Sequence, residues 1–250
     1  NHFHKVFSTP IKDAIFPNLT INAPPCDIIP EVVFSCEAVK KVLNKLNITK
    51  SPGGDGLHPH ILKVCSDSFS IHLSHIFIES FKNSEVPAQW KCASICPIYK
   101  NKGKKTDPSS YRPISLTVLP CKSMESLVKE VMSQHLETHN LINSNQHGFV
   151  KHKSCVTNLL EALDMISEVI HRGFSIDLIF LDFAKAFDMV SHDGLLHKLK
   201  FYGFSNNIIN WISAFLKGRK QKVVLGDVES DWKDVLSGVP QGSVLGPLLF

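Results

Sequence analysis

Residues 176–196 read IDLIFLDFAKAFDMVSHDGLL, and the run Ile176, Leu178, Ile179, Phe180 and Leu181 predicts a buried strand. That strand ends on a carboxylate, Asp182, with a second one, Asp188, a short turn later. A buried charge is costly unless something pairs with it, so a basic partner or a metal ion is expected beside Asp182. In α/β sheets active groups gather where strands end. Mg²⁺ favours one or two carboxylates together with substrate phosphate oxygens, and such a site fits this position. The plainer reading of Asp182 is a cap for the following turn, and Asp188 and Asp193 read more readily still as helix-start residues.

Working outward, residues 1–34 are rich in Pro and show little periodicity, which predicts a poorly structured lead-in. Ser35 is placed to cap a helix with Val39, Val42, Leu43 and Leu46 on one face. SPGGDG, residues 51–56, has the spacing of neither a P-loop nor a dinucleotide fingerprint, and a tight turn into a helix running to about Lys82 is the better reading. ASICPIYK (93–100) and YRPISL (111–116) predict a hairpin whose tip, NKGKKTDPSS, is basic. A helix from about Cys121 to His139 follows, then a polar turn over 145–154. Next comes a helix capped by Thr157 and stopped by Gly173. Beyond Asp182, GLLHKLKFYG and NNIINWISAFLKG predict two short helices. KVVLG and the segment from Trp232 to Leu236 predict an antiparallel pair, and SGVPQGSVLGPLLF predicts a loop turning into an apolar helix. The sheet is expected to join 178–183 with 221–236, and the helices at 157–172 and 206–217 to share one side of it.

Two hundred and fifty residues of ordinary apolar content suit one large domain or two small ones. The net charge of +4 is less informative than its distribution. Lys91, Lys100, Lys102, Lys104 and Lys105 occur with no acid between Lys91 and Thr106, and Lys217, Arg219, Lys220 and Lys222 form a second cluster. Two such patches suit a phosphate backbone, and each alone also suits a solvated face. The seven cysteines (26, 36, 65, 92, 96, 121 and 155) form no CxxC pair, which excludes the usual zinc modules and predicts reduced, mostly buried thiols in an intracellular protein. Cys92 and Cys96 are expected on one face of their strand. No apolar run is long enough for a membrane span, and the sequons at Asn18 and Asn47 carry little weight without a signal peptide. A first residue other than Met and an unpunctuated GPLLF ending predict a piece of a longer protein.

FLDFAKAFDMVSH (180–192), SGVPQGSVLGPLLF (237–250), YRPISL and QHGFVKHKSC (146–155) resemble the successive motifs of reverse transcriptases of non-LTR (LINE-like) retrotransposons, the jockey group most of all. SPGGDGLHPHILK (51–63) and WKCASICPIYKNKG (90–103) resemble the segments that precede the fingers in that family. The resemblance spans residues 35–250. It implies a mixed α/β (α+β) right-hand polymerase with fingers and an incomplete palm, the thumb absent. The implied layout is a helical extension over 35–90, fingers over 91–175 and a partial palm over 176–250. It also implies an RNA template, a DNA primer, deoxynucleoside triphosphates and Mg²⁺, with a nuclear or cytoplasmic location and no membrane.

Residue by residue, the resemblance makes Asp182 the first catalytic aspartate and a ligand of both metal ions, with the backbone carbonyl of Phe183 binding one of them. It makes Phe187 the gate under the sugar of the incoming nucleotide. Arg112 becomes the fingers arginine on the triphosphate, helped by Lys100 or Lys102, and Gln241 and Gly242 form the loop beneath the nascent base pair. These roles suit the chemistry. Arg offers phosphate a forked donor, glycine admits close backbone approach, and phosphoryl transfer needs chiefly positioning and electrostatics.

One departure stands out: the family's aromatic-Ala-Asp-Asp hairpin is absent, and the chain contains no adjacent aspartates. The expectation is a fragment that is inactive alone. The competing reading is a non-catalytic nucleic-acid-binding remnant. A metal-dependent aspartyl phosphatase is disfavoured because it needs a second acid where Ala184 stands.

Overall fold

The computed structural model describes residues 2–7 and 31–250, so residues 8–30 of the expected loose lead-in lie outside the described residues. The chain divides into two compact units, one made of residues 1–135 with 185–250, the other of 136–184.

In the first unit, helices α1 (Cys36–Asn44), α2 (Pro59–Val64) and α3 (Ser66–Asn83) come first. Ser35 caps α1 as expected, its hydroxyl accepting from the Ala38 amide at 3.1 Å. The glycine-rich stretch is a turn closed by Gly56 N–H to Gly53 O at 3.0 Å. A Cβ on Gly53 would lie 2.8 Å from Val118 Cα, so close backbone packing explains that glycine without a phosphate. An aromatic seam then ties this helical layer to α7 (Asn206–Leu216), which follows α6 (His192–Phe201). Phe34 meets Phe77 and Phe81, Phe77 meets Trp90, and Phe81 meets Trp211, which stacks on Phe215 at 5.6 Å. Trp211 is fully buried and its indole N–H donates to Ser80 Oγ at 3.1 Å, so the ring's one polar atom is satisfied.

The sheet holds β1 (Cys92–Tyr99), β2 (Tyr111–Leu116), β3 (Lys220–Leu225), β4 (Val228–Glu229) and β5 (Lys233–Asp234), in the order β2-β1-β3-β4 with β5 also on β3. The β1–β2 hairpin is antiparallel with the expected basic tip. Lys100 N–H donates to Ser110 O at 2.9 Å, which fixes the alternation of the ladder. Pro97 and Pro113 face each other at a non-bonded position, where neither missing N–H breaks a rung. By the same alternation the Ser115 amide points off the outer edge of β2. The antiparallel pairing of β3 with β5 was legible. The parallel pairing of β1 with β3, from Cys92↔Lys220 to Ile95↔Val223, was not. That ladder stops before Pro97, whose nitrogen has nothing to donate.

Helix α4 (Leu119–Thr138) leads from the first unit into the second. There α5 (Cys155–His171) is capped by Ser154, not Thr157. The two form a capping box, with Thr157 at the third helical position returning a bond to the Ser154 amide. Gly173 ends the helix with φ +77°. His147 bridges Thr157 Oγ1 at 3.0 Å and Glu161 Oε2 at 2.7 Å, fastening the preceding turn to α5.

Residues 176–183 correct the expectation that opened the reading. They form no ladder among the described residues. Phe180 and Leu181 are each 89 % exposed, and Asp182 is exposed with them. A strand apolar on both faces needs neighbours on both edges, but β3 already occupies the inner edge of β1 over Cys92–Ile95. No ladder joins 178–183 to 221–236 among the described residues. The cysteines also depart from expectation. Cys121 is buried, whereas Cys36, Cys65, Cys96 and Cys155 are exposed and Cys92 is intermediate, on surfaces the core does not reach.

Candidate nucleotide and nucleic-acid site

Two stretches that the sequence singled out, AKAFDMVSH and SGVPQG, are zipped together in the first unit. Val239 N–H donates to Phe187 O at 2.8 Å, Gly238 N–H to Val190 O at 2.8 Å, and Ser237 Oγ to Asp188 O at 2.7 Å. His192 Nε2 meets Gly238 O at 2.8 Å. Gly238 has φ +87°, and a Cβ there would stand 2.6 Å from Phe187 O. Only glycine fits this crossing. Burial holds the His192 imidazole below its usual range, partly offset by its bond to Gly238 O. Burial raises the Asp188 carboxyl, with Lys185 pulling the other way.

The loop then runs along the edge of β2. The outward amide of Ser115 donates to Gln241 O at 2.7 Å. Gly242 has φ +116°, and a Cβ on it would lie 2.7 Å from Ser115 O, so this residue too must be glycine. The loop's far end is held by Glu125, which α4 presents from its buried face. Its Oε2 accepts Val244 N–H at 2.8 Å and Leu245 N–H at 3.0 Å, ahead of the short helix α8 (Gly246–Leu249). Glu125 is fully buried. Burial pushes its carboxyl up, and the Leu245 amide, Arg219 and the Val244 amide pull it back. Cys121, one turn earlier, donates its thiol to Glu125 Oε1 at 3.6 Å and is itself pushed well up by burial.

Sequence reasoning missed Glu125 and misplaced Arg219. Glu125 was detectable as an acid within the apolar stripe of Cys121, Met124 and Val128. Arg219 was grouped with a phosphate-binding patch, but it is 3 % exposed. It lies over the Phe215 ring at 4.8 Å and donates to Phe215 O at 3.1 Å, so it does not reach an external phosphate. The rest of that cluster is partly engaged as well: Lys217 pairs with Asp193 at 3.7 Å, and Lys222 pairs with Glu229.

The remaining expected residues are distributed as follows. Arg112 is exposed on β2 opposite Ile98. Strand alternation puts it on the sheet face opposite that of Ile95 and Ser115. Lys100 Nζ donates to Ser109 O at 2.9 Å, which bends it over the hairpin, while Lys102 is exposed. Phe187 is half-buried and stacks on Phe250 with ring centroids 4.7 Å apart. The structure thus brings Phe187, Gln241 and Gly242 together through the zipped backbone. Asp182 and Phe183 lie in the second unit, both exposed. They offer hard oxygen donors, a carboxylate and a carbonyl, but no group of three or more His, Cys, Asp or Glu among the described residues is arranged to hold a metal. Among those residues no helix is long and apolar enough to cross a membrane.

Residues 100–250 match the family described as reverse transcriptase (RNA-dependent DNA polymerase). The chain is similar to the RNA-directed DNA polymerase from mobile element jockey of Drosophila melanogaster, 32% identical over 222 residues that cover 89% of this chain and 24% of the relative. It is also similar to the probable RNA-directed DNA polymerases from transposons BS and X-element of the same fly. Each is 30% identical, over 220 and 215 residues, covering 86% of this chain and 24% of the relative. The chain spans about a quarter of the length of these curated relatives.

Proposed function

The chain belongs to the reverse transcriptase family of non-LTR retrotransposons, and from that premise we propose that it supplies the fingers and part of the palm of an RNA-directed DNA polymerase. The observation that carries this reading is the zipping of Phe187 to Val239, which holds the expected sugar gate and the PQG loop as one piece of backbone. On this reading Arg112, with Lys100 or Lys102, receives the triphosphate. Phe187 faces the sugar, Gln241 and Gly242 lie beneath the nascent pair, and the hairpin lysines track an RNA template and DNA primer. Asp182 and the Phe183 carbonyl would hold Mg²⁺. When bound, a pair of such ions lowers the charge on the attacking and leaving oxygens of the displacement.

The chain's own contribution is binding and orientation. Forked donation from Arg112 fixes the phosphates. The Glu125 carboxylate and the Ser115 amide fix the loop on which the base pair rests. Asp182 is one carboxylate, and two ions in displacement geometry need more. The 250-residue chain alone is therefore proposed to bind template and primer without extending them.

The test is primer extension by a chimera in which this chain replaces the matching segment of the jockey polymerase. Extension by the chimera, its loss with Asp182→Asn and retained template binding are the expected results. A folded chimera that extends equally well with Asp182→Asn, or extension by the isolated chain, would overturn the assignment. The lack of a metal-ligand cluster among the described residues favours one second reading, a nucleic-acid-binding remnant. A folded chimera that binds template but never extends would support it.

A further inference from the structure

Residues 2–7, HFHKVF, belong to the first unit and lie against its sheet. Phe3 and Phe7 complete the lining of a cavity of about 30 Å³, whose other walls include Ala93, Ile95 and Ser115 of the sheet and Ser237 and Gln241 of the loop. Val6, between the two rings in sequence, is 6 % exposed. At the hairpin tip, hydrogen bonds from Ser109 hold the Asp107 carboxyl below its usual range, and the nearby His2 adds to this. The segment thus reaches from the hairpin tip to the loop that carries Gln241.

The fastening is light. The segment's backbone hydrogen bond, Lys5 N–H to His2 O at 3.2 Å, is internal, and so are its ring pairs, His2 with Phe3 and His4 with Phe7. Among the described residues no hydrogen bond ties 2–7 to the sheet or to the loop. A segment held by apolar contact alone opens at low free energy. The surface it covers is mixed in character. Beside the apolar sheet face stand the Gln241 amide, one acid, Asp188, and two bases, Arg219 and Lys220. Arg219 is clamped on Phe215, whereas Lys220 is exposed at the start of β3. An apolar floor with a few convergent polar groups is the usual make-up of a binding cleft. Its surplus of positive charge fits a nucleic acid, which offers flat bases and anionic phosphates together.

We propose that residues 2–7 are an intramolecular plug, which covers the cleft between the β1–β2 sheet face and the Gln241 loop and which an RNA–DNA hybrid displaces to enter it. Phe3 and Phe7 are the parts that fill the cleft, and Lys220 is the cation that the hybrid gains when they leave. The choice of a hybrid as competitor rests on the polymerase reading given above. The covering of the cleft by Phe3 and Phe7 does not.

The 250-residue chain and its variants serve for the test. In filter binding, Phe3→Ser with Phe7→Ser is expected to hold an RNA–DNA hybrid about fivefold or more tightly than the native chain, because apparent affinity scales with the open fraction. Tm falls in the same variant, whereas a purely structural segment predicts that Tm and binding fall together. Phe3→Leu with Phe7→Leu, which keeps the plug apolar, is expected to return binding to the native level. Adding Lys220→Gln to the serine pair is expected to remove most of the gain. Unchanged or weaker binding by the folded serine pair, or a gain that survives Lys220→Gln, would overturn the plug and leave the polymerase reading standing. Absence of hybrid binding by both chains would sink that reading, and the plug's competitor with it. Should the serine pair fail to fold, the Val6 methyl signals of the native chain decide. Saturating hybrid is expected to move them to random-coil positions, and signals that stay in place overturn the proposal.

Discussion

Phe187 accepts the amide of Val239 at 2.8 Å, and with the Gly238 amide on Val190 O this backbone bond joins the segment that follows Asp182 to the loop that carries Gln241. A change on either side of that crossing is transmitted to the other without passing through a side chain.

Gly238→Ala is the direct probe of the crossing. Its φ of +87° and a Cβ only 2.6 Å from Phe187 O predict a loss of at least about 2 kcal/mol in denaturant unfolding. Gly226, at φ +60° with nothing within 4 Å of its Cβ position, is the control and is expected to cost only about 1–2 kcal/mol as alanine. Equal losses at the two positions would remove the steric argument.

Phe187→Val tests the gate in the jockey chimera. A purely packing role predicts that melting temperature and all incorporation fall together, since large-to-small changes cost roughly 1–4 kcal/mol. A gate predicts that the ratio of ribonucleotide to deoxyribonucleotide incorporation rises far more than stability falls. The stacking of Phe187 on Phe250 makes some stability loss expected in either case, so the ratio is the deciding readout.

Lys102 and Lys104 are exposed at the hairpin tip, and Lys105 stands 5.8 Å over the Tyr99 ring. Replacing Lys102 and Lys104 with Gln is expected to weaken binding to an RNA–DNA hybrid and to flatten its log–log salt dependence by roughly 0.7–0.9 for each phosphate no longer neutralised. Filter binding between low and physiological salt measures this. An unchanged slope would place the nucleic acid elsewhere.

Glu125 predicts a pH dependence of definite sign. Its carboxyl is raised in the folded state by burial, with Leu245, Arg219 and Val244 opposing and Cys121 donating to it. The folded protein then keeps a proton that the unfolded chain has lost. Its stability falls as pH rises from the ordinary Glu value, about 4.3, through the raised one. The stability of the native protein relative to Glu125→Gln should therefore decline from about pH 4 upward and then level off. A difference that is flat with pH would show Glu125 to be ionised in both states alike.

Local signals were legible where local chemistry decides the outcome. Ser35 capped its helix, the YRPISL hairpin closed in register, and Gly173 stopped α5, because each depends on residues a few positions apart. Non-local choices were not. Nothing in CASI or KQKV states that Cys92 will pair in parallel with Lys220, and the apolar run before Asp182 reads as a strand whether or not an edge is open to receive it. The candidate site divides the same way. Gln241 and Gly242 were found by motif, whereas Glu125 and Arg219 act through burial, which charge counting assigns to the surface.

The β1–β3 ladder also sets a schedule for synthesis. Lys220 leaves the ribosome more than a hundred residues after Cys92. At roughly 5–20 residues per second, β1 waits on the order of ten seconds with its β3-facing edge bare. Such an edge invites pairing with another chain. Pro97, opposite Pro113 in the hairpin, interrupts that edge just beyond the point where the β1–β3 ladder will end. The same proline that limits the final ladder thus shortens the sticky surface of the nascent chain.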